Sequence, residues 1–319
     1  MGRGTALGLL ARGLLVLFAL IGVGFFLFGE QFGVLVSADG TGYWTNLFTE
    51  LIGIGVTIAV VDWFARQRET ERRKKDLVRR AGSRSNDFAK DAVEEMGAEG
   101  WLFGKDSLLR GARLHDADLS ETDLRWANME EANLYSACLN KTLLEGACLD
   151  RADLYGACLK EAQLDETGLK EARLLCAYLK GASLSGADLR ETNLAGANLE
   201  EAYLVGAYME KADLRRSSLQ KAILQDTSMK GTNLWSTDLR GCDLYGANLL
   251  DAKIGVYKSR SDEYLITANA ETVLPDGTAY DPDLGLAQFE RFTNPNHPDF
   301  WEPEWVKQER EAGSDESGV

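Results

Sequence analysis

From residue 109 to residue 254, every position whose number ends in 4 or 9 is Leu, except Met129, Met209, Met229 and Ile254. The register runs through 30 five-residue units without insertion, and two residues before each bulky position stands a small one: 20 Ala, 7 Thr, 2 Ser and Cys242. A helix repeats its apolar face every ~3.6 residues and a strand every ~2, so neither produces a period of five. The pattern is that of an internal repeat array. Upstream the pattern changes. Gly13 to Gly29 has 17 residues without a polar group, close to the ~20 that cross ~30 Å of hydrocarbon. Leu47 to Phe64 is a second apolar stretch, uncharged from Leu51 to Val61 and bracketed by Glu50 and Asp62. Together they predict a two-helix transmembrane hairpin over residues 1–65.

Residues 66–106 read as a helical linker and N-terminal cap. Arg66 to Arg80 has eight basic residues and no apolar stripe, so it continues the second span as a helix fraying at Gly82. Its charges either set topology or hold anionic headgroups. A short helix over about Asn86 to Met96 follows, with a polar cap, and ends near Gly97 or Gly100. Arg3 and Arg12 precede the first span, and Glu30 to Asn46 has no Lys or Arg. The excess of basic residues on cytoplasmic flanks then places both termini and the repeats on the cytoplasmic side, with the lipid bilayer as partner of 13–29 and 47–64. Tyr43, Trp44 and Trp63 suit the interfaces. A rival is a signal peptide cut near Val36-Ser37-Ala38, which still leaves everything after residue 66 cytoplasmic.

The segment GADLRETNLAGANLEEAYL (Gly186 to Leu204) shows the rule: Ala, then Asp or Asn, then Leu, then two variable positions. These residues resemble the pentapeptide repeat family, over 150 of the 319 residues. The resemblance implies an all-β solenoid over 107–256, a right-handed quadrilateral β-helix of about 7.5 coils, four repeats to a square coil, with Leu and the small residue inward. Such a core fills in layers, and at ~4.8 Å per coil the rod is ~36 Å long. The flanks RRAGSRSNDFAKDAVEEMGAEGWL, VLPDGTAY and FTNPNHPDFW are similar to those of membrane-anchored bacterial members, which implies the inner membrane. Open solenoid ends need covers. Trp101, Leu102 and Phe103 are expected to plug the first coil. Tyr264 to Tyr280, turning at Pro275-Asp276-Gly277, is expected to fold as a hairpin over the last. Phe289, Phe292, Phe300, Trp301 and Trp305 complete a C-terminal cap, 257–306, by packing back along the rod; 307–319 reads as a disordered tail.

Charge adds a restriction. Residues 1–106 carry 13 basic and 13 acidic groups, residues 107–256 carry 17 and 23, and residues 257–319 carry 5 and 14. A net charge of −15 excludes a general nucleic-acid binder, which needs a basic footprint. Catalytic material is sparse. The chain has two histidines, His115 and His297; Gly104-Lys105-Asp106 lacks the earlier Gly and the hydroxyl of a phosphate loop, and no acid and base pair stands out. The expectation is therefore no enzyme, no cofactor and no metal. Asn140-Lys141-Thr142 matches a glycosylation sequon that a cytosolic location makes idle.

If a coil is 20 residues, side chains 20 apart stack. The column Arg110, Glu130, Asp150, Lys170, Arg190, Glu210, Lys230 then mixes signs and reads as a solvated ion-pair ladder. One corner differs. Tyr135, Tyr155 and Leu175 form one column and Cys138, Cys158 and Tyr178 the column across the same turn, with Cys176 beside them, flanked by His115 and Asp118 below and Ala195 and Asn198 above. The patch is the candidate docking site for a protein partner; its alternatives are stacking for stability or a cover by the C-terminal aromatics. Three cysteines lack a fourth ligand for zinc, and reducing surroundings keep Cys138 and Cys158 unpaired. The functional expectation is a non-enzymatic, membrane-tethered scaffold that presents the rod to a cytoplasmic protein. Its rival is a DNA mimic, resembling the pentapeptide proteins that bind gyrase, which needs a sustained negative face.

Overall fold

Every fifth residue between Gly111 and Asp251 sits at positive φ, 10 glycines and 19 non-glycines alike. Each closes a β-turn in which the small residue's N–H donates to the carbonyl of the preceding Leu, as in Ala112 to Leu109 at 3.1 Å and Ala117 to Leu114 at 3.2 Å. Four such turns bring the chain back beneath itself. Parallel bridges accordingly join residues 20 apart, from Arg113 with Asn133 to Ser228 with Asn248. Only the last pair is long enough to be strands: β1 (Asn233–Leu234) and β2 (Lys253–Ile254). The structure is a computed structural model describing residues 42–254, 272–281, 283–293, 298–304 and 306–308.

The interior repeats from coil to coil. Leu114, Leu134, Leu154, Leu174 and Leu194 are almost wholly buried, as are Ala112, Ala132, Ala152, Ala172 and Thr192 two residues before them. Threonine replaces alanine without an unsatisfied hydroxyl. Thr142, Thr167, Thr192, Thr227 and Thr237 donate to the Leu carbonyl 23 residues earlier at 2.7 to 2.9 Å. Cys242 does the same through its thiol, to Leu219 at 2.8 Å. A buried polar group so paired costs little, whereas an orphaned one costs ~1 to 3 kcal/mol.

The chain divides into two compact units, Met1–Lys75 and Asp76–Val319. Helix α1 runs Gly42–Ala81. Among the described residues no helix is long and apolar enough to cross a membrane. The expected hairpin over 1–65 is therefore not established: 13–29 lies outside the described residues, and 47–64 falls within α1. There the charge-free run Leu51 to Val61 is only ~16 Å long at ~1.5 Å per residue, about half a bilayer core.

In the second unit, helix α2 (Asn86–Ala98) follows N-cap Ser85, whose side chain makes no cap bond. Its buried Ala89, Ala92, Val93 and Met96 join Leu77 and Ala81 in the core that continues into the coils. The first coil's missing neighbour is replaced piecemeal. The Ser83 carbonyl accepts from Asp118 N–H at 2.9 Å, and the Leu102 carbonyl from Asn128 N–H at 2.8 Å. Leu102 is buried and Trp101 half-buried, but Phe103, expected in the plug, is 45 % exposed.

At the other end the strand around Val273 pairs in parallel with Asn248 and turns back antiparallel at Ala279. The turn is Pro275-Asp276-Gly277, with Gly277 at φ +84. Residues 264–271 of the expected hairpin lie outside the described residues, as does Trp305. A 3-10 turn (Gly285–Phe289) and helix α3 (Glu290–Thr293) follow. Tyr280 meets Phe289 at 6.0 Å and Phe292 meets Trp301 edge-on at 5.6 Å. Phe292, Phe300 and Trp301 gather with Trp235, Lys253 and Ile254 around one cleft at the terminal coil. These aromatics thus meet both the outer wall of the last coils, at Trp235 and Lys253, and their end, at Ile254.

Candidate functional site

The turn that carries the candidate patch is built like the others, so its distinction lies in side chains alone. Asn133 Oδ1 accepts from Tyr135 N–H at 3.1 Å and Asp153 Oδ1 from Tyr155 N–H at 3.2 Å, which fixes the start of each turn. The Tyr135 and Tyr155 rings stack at 5.3 Å with 6° between planes, a direct result of 20-residue periodicity. Tyr135 is 45 % exposed and Tyr178 56 %; Leu175 is half-buried and Cys176 exposed. Across the turn, Cys138 bridges Cys158 and Cys158 bridges Tyr178. The structure thus brings Tyr135, Tyr155, Leu175, Cys138, Cys158 and Tyr178 onto one corner. The described C-terminal aromatics do not cover it, since they lie at Trp235, higher in the same column.

The thiols are quiet. All five cysteines are free. Cys138 Sγ accepts from Ser120 Oγ at 3.0 Å and Asn140 Nδ2 at 3.1 Å. Burial, and then the neighbouring Cys138, push the Cys158 thiol above its ordinary range. Burial also raises Cys148, and it carries Cys242 from 9.0 to about 12. Raised thiols are poor nucleophiles and poor metal ligands at neutral pH. Among the described residues no group of three or more His, Cys, Asp or Glu is placed to hold a metal. His115 is exposed, and its neighbour Asp116 pairs with Arg84 at 2.7 Å; His297 lies outside the described residues. Thr142 of the sequon is fully buried, and its hydroxyl donates to the Leu119 carbonyl at 2.8 Å, a structural role that accounts for this residue.

The charged columns differ in detail from a simple ladder. Arg110 does reach Glu130 at 2.9 Å, and Arg151 joins Glu130 to Glu131. Arg190, however, turns back onto Asp188 of its own repeat. The same two-bonded fork recurs wherever Asp-Leu-Arg occurs: Asp123 with Arg125, Asp213 with Arg215, Asp238 with Arg240. It holds the Asp123 carboxyl below the usual range through its Arg125 bonds, and Asp188 likewise through Arg190. Sequence reasoning missed this motif, although Asp and Arg flanking one inward Leu are legible as same-face neighbours.

A coil of four turned repeats with outward variable positions defines a repeat solenoid. The family model described as pentapeptide repeats matches residues 107–146, 147–186, 182–220 and 222–254. Among solved structures, HetL, a pentapeptide repeat protein involved in heterocyst differentiation regulation in the cyanobacterium Nostoc sp. strain PCC 7120, is 30 % identical over 54 % of this chain and 86 % of its own, with a TM-score of 0.29. Rfr23 from the cyanobacterium Cyanothece 51142 is 28 % identical over 37 % of this chain and 63 % of its own, with a TM-score of 0.28. QnrB1, a plasmid-mediated fluoroquinolone resistance protein, is 14 % identical over 60 % of this chain and 90 % of its own, with a TM-score of 0.40. None of the curated proteins matches the chain. The chain belongs to the pentapeptide repeat family, and residues 107–254 form its right-handed β-helix.

Proposed function

We propose that this protein is a non-enzymatic, membrane-tethered scaffold whose rod offers the Tyr135 corner to a cytoplasmic protein partner. The observation that carries the reading is the contiguous aromatic and thiol surface over three coils, exposed at Tyr135 and Tyr178 and half-buried at Tyr155, Leu175, Cys138 and Cys158, on a backbone whose turns are hydrogen-bonded to their neighbours. A rigid aromatic patch binds with little ordering cost. The same four strand and turn positions through six coils, from Asn133–Cys138 to Asn233–Asp238, hold three acidic and three basic residues, which suits an apolar protein surface better than a charged one. The tether is supported by the apolar stretch 13–29 and by α1, where Ile54, Ile58, Val61, Trp63 and Phe64 are all exposed ahead of eight basic residues. A helix apolar on every side needs a non-aqueous neighbour.

The test is crosslinking in membranes of wild type and Tyr155→Lys, which charges the middle of the patch and leaves the Leu column alone. A defined protein partner lost in the variant supports the reading; an unchanged set of neighbours sinks it. The alternative, a DNA mimic acting on a DNA-binding enzyme such as gyrase, draws on the excess of six acidic groups over residues 107–256. Signs mix on three of the four corners, however. Inhibition of gyrase supercoiling by the purified chain would favour that alternative.

A further inference from the structure

A second exposed aromatic face lies two turns further round the coil. Tyr203 and Tyr208, 50 % and 52 % exposed, stand on either side of the turn Val205-Gly206. Ile223 bridges Tyr203 in the next coil, and Tyr245 follows at 45 % exposed. Through six coils, from Leu143–Cys148 to Asp243–Asn248, the two strand and two turn positions of this face hold six acidic residues and no Lys or Arg.

Elsewhere on the rod carboxylates are mostly neutralised at short range: Arg173 meets Asp153 at 3.1 Å, Lys180 meets Glu200 at 3.0 Å, and the Asp-Leu-Arg forks close on themselves. Of the six acids on this face, Asp188 alone has such a partner. Asp165 Oδ1 accepts from the Ser183 hydroxyl at 2.6 Å and from Ser185 N–H at 2.9 Å. Asp243 Oδ2 accepts from the Gln225 amide at 2.6 Å. Neutral donors satisfy the oxygens but leave the charge. Among the described residues no ion pair reaches Asp165, Glu166, Asp226 or Asp243.

These uncompensated charges bracket the tyrosines. Glu166 and Asp226 are three coils apart, ~14 Å at ~4.8 Å per coil, a distance that an extended peptide covers in about four residues. In such a peptide, side chains at alternate positions share one face. A guanidinium pairs with a carboxylate at either end and lies over a tyrosine ring in the middle. We propose that this face docks an extended arginine-rich polypeptide segment of the pattern Arg-x-Arg-x-Arg, the outer guanidiniums at the two acidic positions and the central one over Tyr203 and Tyr208. The inference does not rest on the Tyr135 corner and survives if that corner binds nothing.

Fluorescence anisotropy of the full chain with a labelled Gly-Arg-Ala-Arg-Ala-Arg-Gly peptide tests it, against Gly-Arg-Arg-Arg-Ala-Ala-Gly of equal charge. Glu166→Gln with Asp226→Asn is expected to weaken binding of the spaced peptide ~10-fold. The matched pair Glu121→Gln with Glu191→Gln removes the same charge from other corners at equivalent left-handed positions and is expected to change it less than ~2-fold. Tyr208→Ala is expected to weaken it ~3-fold. Circular dichroism confirms that each variant is folded. Equal losses in the two charge pairs, or equal affinity for the two peptides, would reduce the effect to net charge and overturn the proposal; so would tighter binding of a DNA duplex than of the peptide.

Discussion

The Tyr135 and Tyr203 faces stand on the same backbone, two turns apart, over an interior that cannot distinguish them. One has balanced charge, thiols and stacked rings; the other is acidic, with tyrosines set apart by a turn. A solenoid thus separates two tasks that a globular domain entangles. Inward positions set stability and vary only among a few residue types, while outward positions vary from coil to coil at little cost to the fold.

The strongest way to break the comparison is to damage what the faces share. Leu184 is fully buried, and Leu184→Ala should destabilise the rod by ~2 to 5 kcal/mol, seen as a lowered denaturant midpoint with both faces lost together. Survival of one face would mean that coils unfold independently.

A smaller effect is expected where one face intrudes on the backbone. A Cβ on Gly146, at φ +64, would lie 2.2 Å from a Trp126 ring carbon. Gly146→Ala should cost ~1 to 3 kcal/mol by equilibrium unfolding, and adding Trp126→Ala should recover the part due to the ring.

The interior also carries a pH signature of its own. The Cys242 thiol titrates at about 12 rather than 9.0 because it is buried. Its neutral form is favoured only in the folded state, so this contribution is full below pH 9.0 and is lost as pH rises toward about 12. Cys242→Thr, which keeps the donor to Leu219, should flatten the fall in denaturant midpoint between about pH 8 and about pH 10.5. An unchanged slope would place the alkaline sensitivity in other groups.

The smallest effects sharpen the contrast at the turns. Lys141 is exposed and held at φ +56, and Lys141→Gly should stabilise the rod by ~0.5 to 1 kcal/mol. Tyr155→Lys should leave stability within ~0.5 kcal/mol while abolishing partner capture. A large loss of stability there would make the stacked pair a structural device.

Much of this is legible in the sequence, because a strict period turns adjacency into arithmetic. Tyr135 beside Tyr155, and Cys138 beside Cys158, follow from a 20-residue coil alone. The exposure of Phe103 did not follow, because the ends of the rod have no period and their residues respond to whatever surface the last coil leaves open. The membrane hairpin was inferred from hydropathy; the described helix shows how short its charge-free run is.

By itself, then, the sequence determined the period, the inward and outward assignment of every repeat position, and which side chains share a column. Translational symmetry carries that information without reference to rotamers. Only the tertiary structure decided the rest: threonine hydroxyls on carbonyls 23 residues back, Arg190 folded onto Asp188 rather than up its column, Trp126 laid over Gly146, and Ser83 and Leu102 standing in for a missing coil. Each of these depends on where a particular group finds its nearest unsatisfied partner, which a repeat pattern does not encode.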